Sequence, residues 1–588
     1  MKIIIYDFEV FKFDTLLGCY ILSEGEQTLY QTWNIDEIKQ FYYDHKEDMW
    51  IGHNNFKYDD LILEAIINNK NPYKKSKELI GSQYKPRCYL PLYSFDLLSP
   101  FLMPFSLKHT ELLIGKSIET TEVDFDLDRP LTYEEKKLTE KYNVSDLNQT
   151  YYNFLKFYDV FKLRLDIISE FKLDLMKNLR VTGTQLAANV LGAKKDPSLI
   201  YKPIKRKLYD NLILENQEIK DFFLKGESKD KQITITIGNV DIVVGDGGLH
   251  GAEKKYFCKK AIYADVTGYY NNIMINYDLF SRTIPEEGKE LYKYMFKEQV
   301  RLKKINPVKR KVYKTILLAV FGATNSLNSD FYDPHIFSII TNTGELFMCD
   351  LLEKVAPYAT IVQVNTDGAM FEPKDWNDYD KIIKIIEEWE ARTKFTCKKE
   401  FLYNLYQRDI NNYVFQDADG KIEVKGEALK NYDLSDQAYA QAAFFNAKEP
   451  PIIAKGIVNC LIYDIDPEET VKQEMNNLKM FQYACKKGTY NYLTYDSTYF
   501  PSTGTSSYKI QSPSRAFALK SNSASGMVYK HGINKKSGKE SKAKVSNLPD
   551  NVFIYNKDIT TAYNELKDKI DYNYYVNRIY ERVGEFIG

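Results

Sequence analysis

No run of about 18 apolar residues occurs anywhere in the 588-residue chain, so nothing in it reads as a membrane span. Charge of one sign is lacking too. The 80 Lys and Arg residues nearly cancel the 81 Asp and Glu residues, for a net charge of −1. That removes any global basic signal for a polyanionic partner and confines a nucleic-acid site to a local patch. Paired cysteines are missing. Cys19, Cys88, Cys258, Cys349, Cys397, Cys460 and Cys485 are scattered singly, odd in number and without a CxxC. This argues against a disulfide framework or a zinc site and fits a reducing compartment. The N-terminal stretch MKIIIYDFEVFKFD carries acids at once and is no signal peptide. Internal repeats are absent. The one biased tract, Asn534 to Val545, is polar and Lys-rich and reads as a mobile loop.

What is present is a globular composition, 44% hydrophobic and 27% charged. The length implies several cores, about three to five domains or subdomains. The first 165 residues look α/β, with apolar strands at Lys2–Val10 and Met49–Asn55 and a long helical pattern after Pro130. Residues 288–321 read as two helices split at Asn306-Pro307, where Asn caps and Pro opens the second. The stretch IVQVNTDGAMF, Ile361–Phe371, reads as a β-hairpin whose turn signal NTDG leaves one carboxylate, Asp367, near the tip.

Two constellations of acids stand out. In YDFE, Asp7 and Glu9 fall on the same side of a strand because side chains alternate with period two. An apolar strand should not carry two acids on one face without a cation between them. In NFKYD, Asp59 stands just ahead of a helix. In YNVSD, Tyr142 and Asp146 are four apart and share a helix face. Each piece alone is common. Together they offer what a two-Mg²⁺ phosphodiesterase needs: oxygen ligands for hard cations and a phenol to orient the attacking water.

The second constellation pairs Asp367 with Asp265, which ends the apolar strand in AIYADVTGYY. Between them lies RLKKINPVKRKVYKTILLAVFGATN, with seven basic residues from Arg301 to Lys314. Arg310 and Lys314 share a helix face, with Phe321 and Gly322 further along it. Taken alone the charges read as a solvated helix face. Placed between two strand-end acids, they offer cations to a triphosphate and an aromatic plus a glycine to a base pair.

These motifs, in this order, resemble those of family B DNA polymerases of bacteriophage type with a DEDDy 3′–5′ exonuclease domain. DFE, NFKYD and YNVSD look like the three exonuclease motifs, and the segment from Ser106 resembles the stretch that joins the second to the third. The resemblance implies Asp7, Glu9, Asp59 and Asp146 as metal ligands, Tyr142 as the residue positioning water, and Asn55 and Tyr58 as contacts to a single-stranded 3′ end. DVTGYY, KTILLAVFG and NTDG resemble the three polymerase motifs. They imply Asp265 and Asp367 as metal ligands, Tyr270 as a steric gate against ribonucleotides, and Lys314, with Arg310 and Lys303, as triphosphate ligands. Phe321 and Gly322 take the base-pair positions. The loop containing Gly247 and Gly248, and the pair Tyr413 and Lys425, are implied as DNA contacts.

The implied architecture is multidomain α/β and α+β: an RNase H-like exonuclease domain over 1–165, a linker and first palm part over 166–290, and fingers over 291–325. A second palm part over 326–430 and a thumb with the C-terminal region over 431–588 complete the right hand. The implied cofactor is Mg²⁺, two per active site, with Mn²⁺ as a substitute. Primer–template DNA and dNTPs are the implied partners, with a helicase or primase and a single-strand-binding protein beyond them. The chain is expected to be a monomer, free of membrane, in the cytoplasm of an infected bacterium. Departures are Asn365, Leu318, Phe321, Gly268, Asn271 and Asp246 at positions where the family uses other residues. Only 48 residues separate Asp265 from Lys314 and 44 separate Gly322 from Asp367, which leaves no room for the insertions of protein-primed polymerases. Priming by nucleic acid is therefore expected. A protein-primed polymerase, an exonuclease with a DNA-binding C-terminal region, and a non-catalytic nucleic-acid-binding protein are the rival readings.

Overall fold

The computed structural model describes all residues except 83–85, 99–105, 119–122, 227–231, 246–247, 433–447, 500–503, 522–523, 534–537 and 588. The chain divides into two compact units. One joins Met1–Thr182 with Asn431–Gly456 and Pro467–Arg578; the other joins Gly183–Lys430 with Ile457–Asp466 and Ile579–Gly588. The first unit therefore takes in segments from both the N-terminal and the C-terminal parts of the chain.

In the first unit a five-stranded sheet has the order Glu26–Thr32, Thr15–Ser23, Ile3–Val10, Met49–Gly52, Tyr93–Asp96. The first three strands are antiparallel, and the last two join them in parallel. Ile3–Val10 is central and nearly fully buried, which explains its continuous apolar run. Residues Ile4, Tyr6, Phe8, Trp50, Leu61 and Ile62 fill the core beneath it. The long helical pattern after Pro130 forms a 38-residue helix, Tyr133–Glu170. Its start is fixed by a capping box, with Thr132 and Glu135 each bonding the other's backbone.

The C-terminal part of this unit holds an antiparallel three-stranded sheet, Tyr483–Cys485, Ser514–Ala518, Val552–Ile554, and a four-stranded one, Thr505–Ile510, Tyr492–Tyr499, Ala524–Ile533, Glu540–Lys544. The tract expected to be a loop is therefore an edge strand over Glu540–Lys544, followed by a buried Val545; residues 534–537 lie outside the described residues. Lysines on an edge strand look like a solvated tract in sequence, and they are a usual guard against edge pairing.

The second unit is built on a nine-stranded antiparallel sheet. Its centre runs Cys397–Asp409, Tyr256–Val266, Gly368–Pro373, Ala359–Asn365. The hairpin read in Ile361–Phe371 forms as expected, with Thr366 at φ 58° in the turn. The helix split also forms as expected: Glu286–Ile305 ends at Asn306, whose side chain accepts from Lys309 N at 3.0 Å, and Pro307–Ala323 follows. Helix Pro334–Val355 is buried along most of its length.

Candidate active sites

The first site sits on the central strand of the five-stranded sheet. Asp7 and Glu9 project from one side of Ile3–Val10 toward Asp146 on the long helix, and one carboxylate oxygen from each lies within 4.8 Å of the others. Asp59 opens the helix Asp59–Ile67 and accepts from Phe8 N at 3.2 Å, which brings it to the same strand. Burial pushes Asp7 up to about 8, and Asp146 adds to the rise while the Asn143 amide opposes it. Burial raises Glu9 well above the usual carboxylate range, with Asp7, Asp146 and Asp59 adding to it. Asp59 is raised in the same way, by burial and then Asp7. Asp7, Glu9 and Asp59, crowded out of water, cannot all ionise without positive charge among them. This all-oxygen donor set fits hard divalent cations.

Two residues that sequence reasoning missed shape this site. Lys108, on the helix Leu107–Ile114, reaches Asp146 Oδ1 at 2.7 Å and lies 3.5 Å from Glu111 Oε1. Its ammonium also stands 4.7 Å from the centre of the Tyr142 ring. Burial works against the charge on Lys108, but Asp146 and Glu111 outweigh it and hold the ammonium above its ordinary range. The signal that could have found it is the surplus of buried acids, which calls for a cation nearby. Gly18 is the other. It pairs with Asp7 across the sheet, and a Cβ there would lie 1.7 Å from Asn143 Oδ1. Glycine leaves room for Asn143 Nδ2 to donate to Asp7 Oδ2 at 3.0 Å.

Tyr142 lies against the cluster, beside Asp146 and Lys108. Burial, then Asp146 and Glu9, keep its phenol protonated. Asn55 departs from its expected place at a DNA-contacting surface. It is fully buried, and its amide donates to Asp60 Oδ1 at 3.2 Å and Ser94 Oγ at 2.8 Å. Asp60, also fully buried, gathers Tyr6, Ser94 and Asn55, and ion-pairs with Arg180 at 2.8 Å. The buried amide is thus a brace behind Asp59. The Tyr58 hydroxyl meets Ser76 at 2.7 Å.

The second site lies at the ends of two central strands of the nine-stranded sheet. Gly368 is the cross-strand partner of Asp265, and Val266 N donates to Asp367 O at 2.8 Å. The hairpin tip thereby presents Asp367 beside Asp265. Burial raises Asp367 to about 6, with Asp265 adding to the rise. Burial likewise raises Asp265, against the pull of the Tyr263 hydroxyl 3.4 Å away and of Lys398. Tyr270, in the helix Tyr269–Asn276, stacks on Phe321 at 3.8 Å between ring centres, and Phe321 stacks on Phe337 at 5.2 Å. The predicted gate and base-pair residues therefore meet. Lys303 and Lys314 are exposed and Arg310 is half-buried; none of the three forms an ion pair among the described residues. Gly248 takes a φ of +90° close against Thr366 of the hairpin tip, which favours glycine there. Gly247 and Asp246 lie outside the described residues. Tyr413 and Lys425 are cross-strand partners, with the ammonium 5.8 Å from the ring centre.

No protein-family model matches the chain, and no curated protein matches it. Among solved structures it is similar to the family B DNA polymerase from the hyperthermophilic archaeon Pyrobaculum calidifontis, at 12% identity and a TM-score of 0.43, over 100% of this chain and 78% of that one. Among the described residues, no helix is long and apolar enough to cross a membrane.

Proposed function

We propose that this chain is a template-directed DNA polymerase of the family B type, with a 3′–5′ exonuclease that edits the primer, serving phage replication from a nucleic-acid primer. The observation that carries the reading is the convergence of Asp265 and Asp367, 102 positions apart, at the ends of two central strands. The separate carboxylate cluster of Asp7, Glu9 and Asp146, with Asp59 beside it, supports the second activity. The gap from Ala323 to Ala359 holds a single described helix, Pro334–Val355, in keeping with priming by nucleic acid.

Divalent cations held by these acids, Mg²⁺ with Mn²⁺ as substitute, would activate a primer 3′-hydroxyl or a water and offset phosphate charge. Asp265 lies at the end of a central strand and Asp367 in the tight turn tied to it by backbone hydrogen bonds, so the pair holds its charge in a fixed place. Lys314, supported by Arg310 and Lys303, neutralises the triphosphate charge. The Tyr270–Phe321 stack walls the sugar and base. In the editing site Tyr142 orients water by a phenol that stays protonated, and Lys108 holds Asp146 in place.

Extension of a labelled primer–template with Mg²⁺ and dNTPs tests both sites. The native chain extends, Asp367→Ala only degrades, and Asp7→Ala only extends. Extension by Asp367→Ala at the native rate would overturn the reading.

A further inference from the structure

Lys108 meets the acidic cluster from an eight-residue helix, Leu107–Ile114. A helix this short is marginal alone, and its last carbonyls have no partners within it. Gly115 N caps Leu112 O at 3.1 Å and Lys116 N reaches Glu111 O at 2.9 Å, and residues far along the chain hold the rest of this turn and the two residues after it. Arg515 Nη2 donates to Leu112 O at 3.1 Å and to Lys116 O at 2.8 Å. Gln482 Nε2 donates to Leu113 O at 3.2 Å, and Ile559 N to Gly115 O at 2.9 Å. The Arg515 side chain is fully buried. Its remaining donors reach Gln482 Oε1 at 2.8 Å, Lys557 O at 2.6 Å and Tyr555 O at 3.4 Å. No carboxylate faces this guanidinium at hydrogen-bond distance among the described residues, and burial lowers it to about 10. A buried cation held only by neutral oxygens is costly. Its place at a helix C-terminus, where carbonyl dipoles gather, offsets part of that cost. Leu112 lies one turn from Lys108, about 6 Å along the helix axis.

We propose that Arg515 is a positioning residue of the exonuclease site. It anchors the last turn of Leu107–Ile114 and so sets Lys108 on Asp146, which makes the C-terminal segment Pro467–Arg578 a working part of that site. The inference rests on the exonuclease reading above. It differs from a purely structural clamp in requiring that Arg515 act through Lys108.

A double-mutant cycle in the full chain separates the two. Single-turnover release of 3′ nucleotides from a labelled single-stranded oligonucleotide in saturating Mg²⁺ is measured for the native chain, Lys108→Ala, Arg515→Lys and the double variant. Arg515→Lys should slow release by on the order of tenfold, and adding it to Lys108→Ala should cost less than about twofold more. Extension that depends on Asp367 should stay within about twofold of native for every variant. Hydrogen exchange in metal-free protein gives a readout apart from activity: Arg515→Lys should speed exchange at the amides of 107–118 and leave Ile3–Val10 protected. Losses that multiply in the double variant, or loss of protection spread equally over Ile3–Val10, would reduce Arg515 to a structural clamp. If Arg515→Lys does not fold, Gln482→Ala takes its place in the same cycle and is read the same way. A native chain with no nucleotide release that Asp7→Asn abolishes would instead remove the exonuclease reading, and this inference with it.

Discussion

Asp367 lies beside Asp265 because the hairpin tip is tied to the neighbouring strand: Val266 N donates to Asp367 O at 2.8 Å, and Gly368 pairs with Asp265. The two carboxylates are thus set by backbone register, not by side-chain packing. Register in a buried sheet does not slip easily, because a one-residue shift turns every side chain to the other face. A substitution of either acid should therefore remove charge without moving the other.

Asp367→Asn is expected to lower primer extension by at least about 100-fold while 3′ degradation persists. At limiting Mg²⁺, native extension should fall as pH drops through about 6, where Asp367 takes a proton. Raising Mg²⁺ should move that fall to lower pH, since metal and proton compete for the same oxygens. Rate profiles at two Mg²⁺ concentrations check this; a fall that ignores Mg²⁺ would point to another group.

The acidic cluster makes an opposite statement about stability without metal. Asp7 is held up to about 8, far above its unfolded range. A raised carboxyl favours the folded state at low pH, and that contribution is lost as pH rises through the folded value. Metal-free protein should therefore lose stability between roughly pH 4 and 8 on account of Asp7. Asp7→Asn should raise the apparent Tm in EDTA at pH 8, on the order of 5 °C, and change it little at pH 4. Mg²⁺ should restore native stability at pH 8 by mass action and do little for the variant.

Much of this geometry was legible in sequence because it follows from short-range rules. Period two puts Asp7 and Glu9 on one strand side, the NTDG turn places Asp367 at a tip, and Asn306-Pro307 sets a helix start. What was not legible depends on contacts between distant segments. Lys108 sits in a short helix whose anchor, Arg515, comes about 400 residues later. Asn55 looks like a surface amide in its motif, yet Asp60 and Ser94 draw it inside. The strand Glu540–Lys544 forms from a Lys-rich tract because pairing with Ala524–Ile533 supplies hydrogen bonds that composition does not reveal.

The stack of Tyr270 on Phe321 predicts how nucleotides are sorted. Parallel rings at 3.8 Å with an 18° tilt hold each other's position, and such pairs contribute about 0.5–1.5 kcal/mol beyond their burial. Phe321→Ala should raise the KM for dNTP by roughly two- to twelvefold with a smaller effect on kcat, the range those energies correspond to. Tyr270→Ala should instead raise ribonucleotide incorporation relative to dNTP. Steady-state kinetics with matched dNTP and rNTP decide it; unchanged discrimination in Tyr270→Ala would remove this tyrosine from the sugar site.

Behind the editing cluster, Arg180 and Asp60 form an ion pair at 2.8 Å in which Asp60 is fully buried. The carboxylate also gathers Tyr6 from the central strand and Ser94 from the edge strand, so it ties three elements together directly behind Asp59. Removing one partner of such a pair leaves a charge without compensation in the interior, which costs about 3–5 kcal/mol. Arg180→Met should therefore destabilise the first unit by that order. The double variant Arg180→Met with Asp60→Asn should recover a large part of the loss, because neither charge is then stranded. Urea unfolding followed by Trp fluorescence is suited to the measurement, since Trp50 is buried in the core of this unit. Equal destabilisation in the single and double variants would mean that the packing of the Arg180 side chain, not the charge balance of the pair, supports this part of the unit.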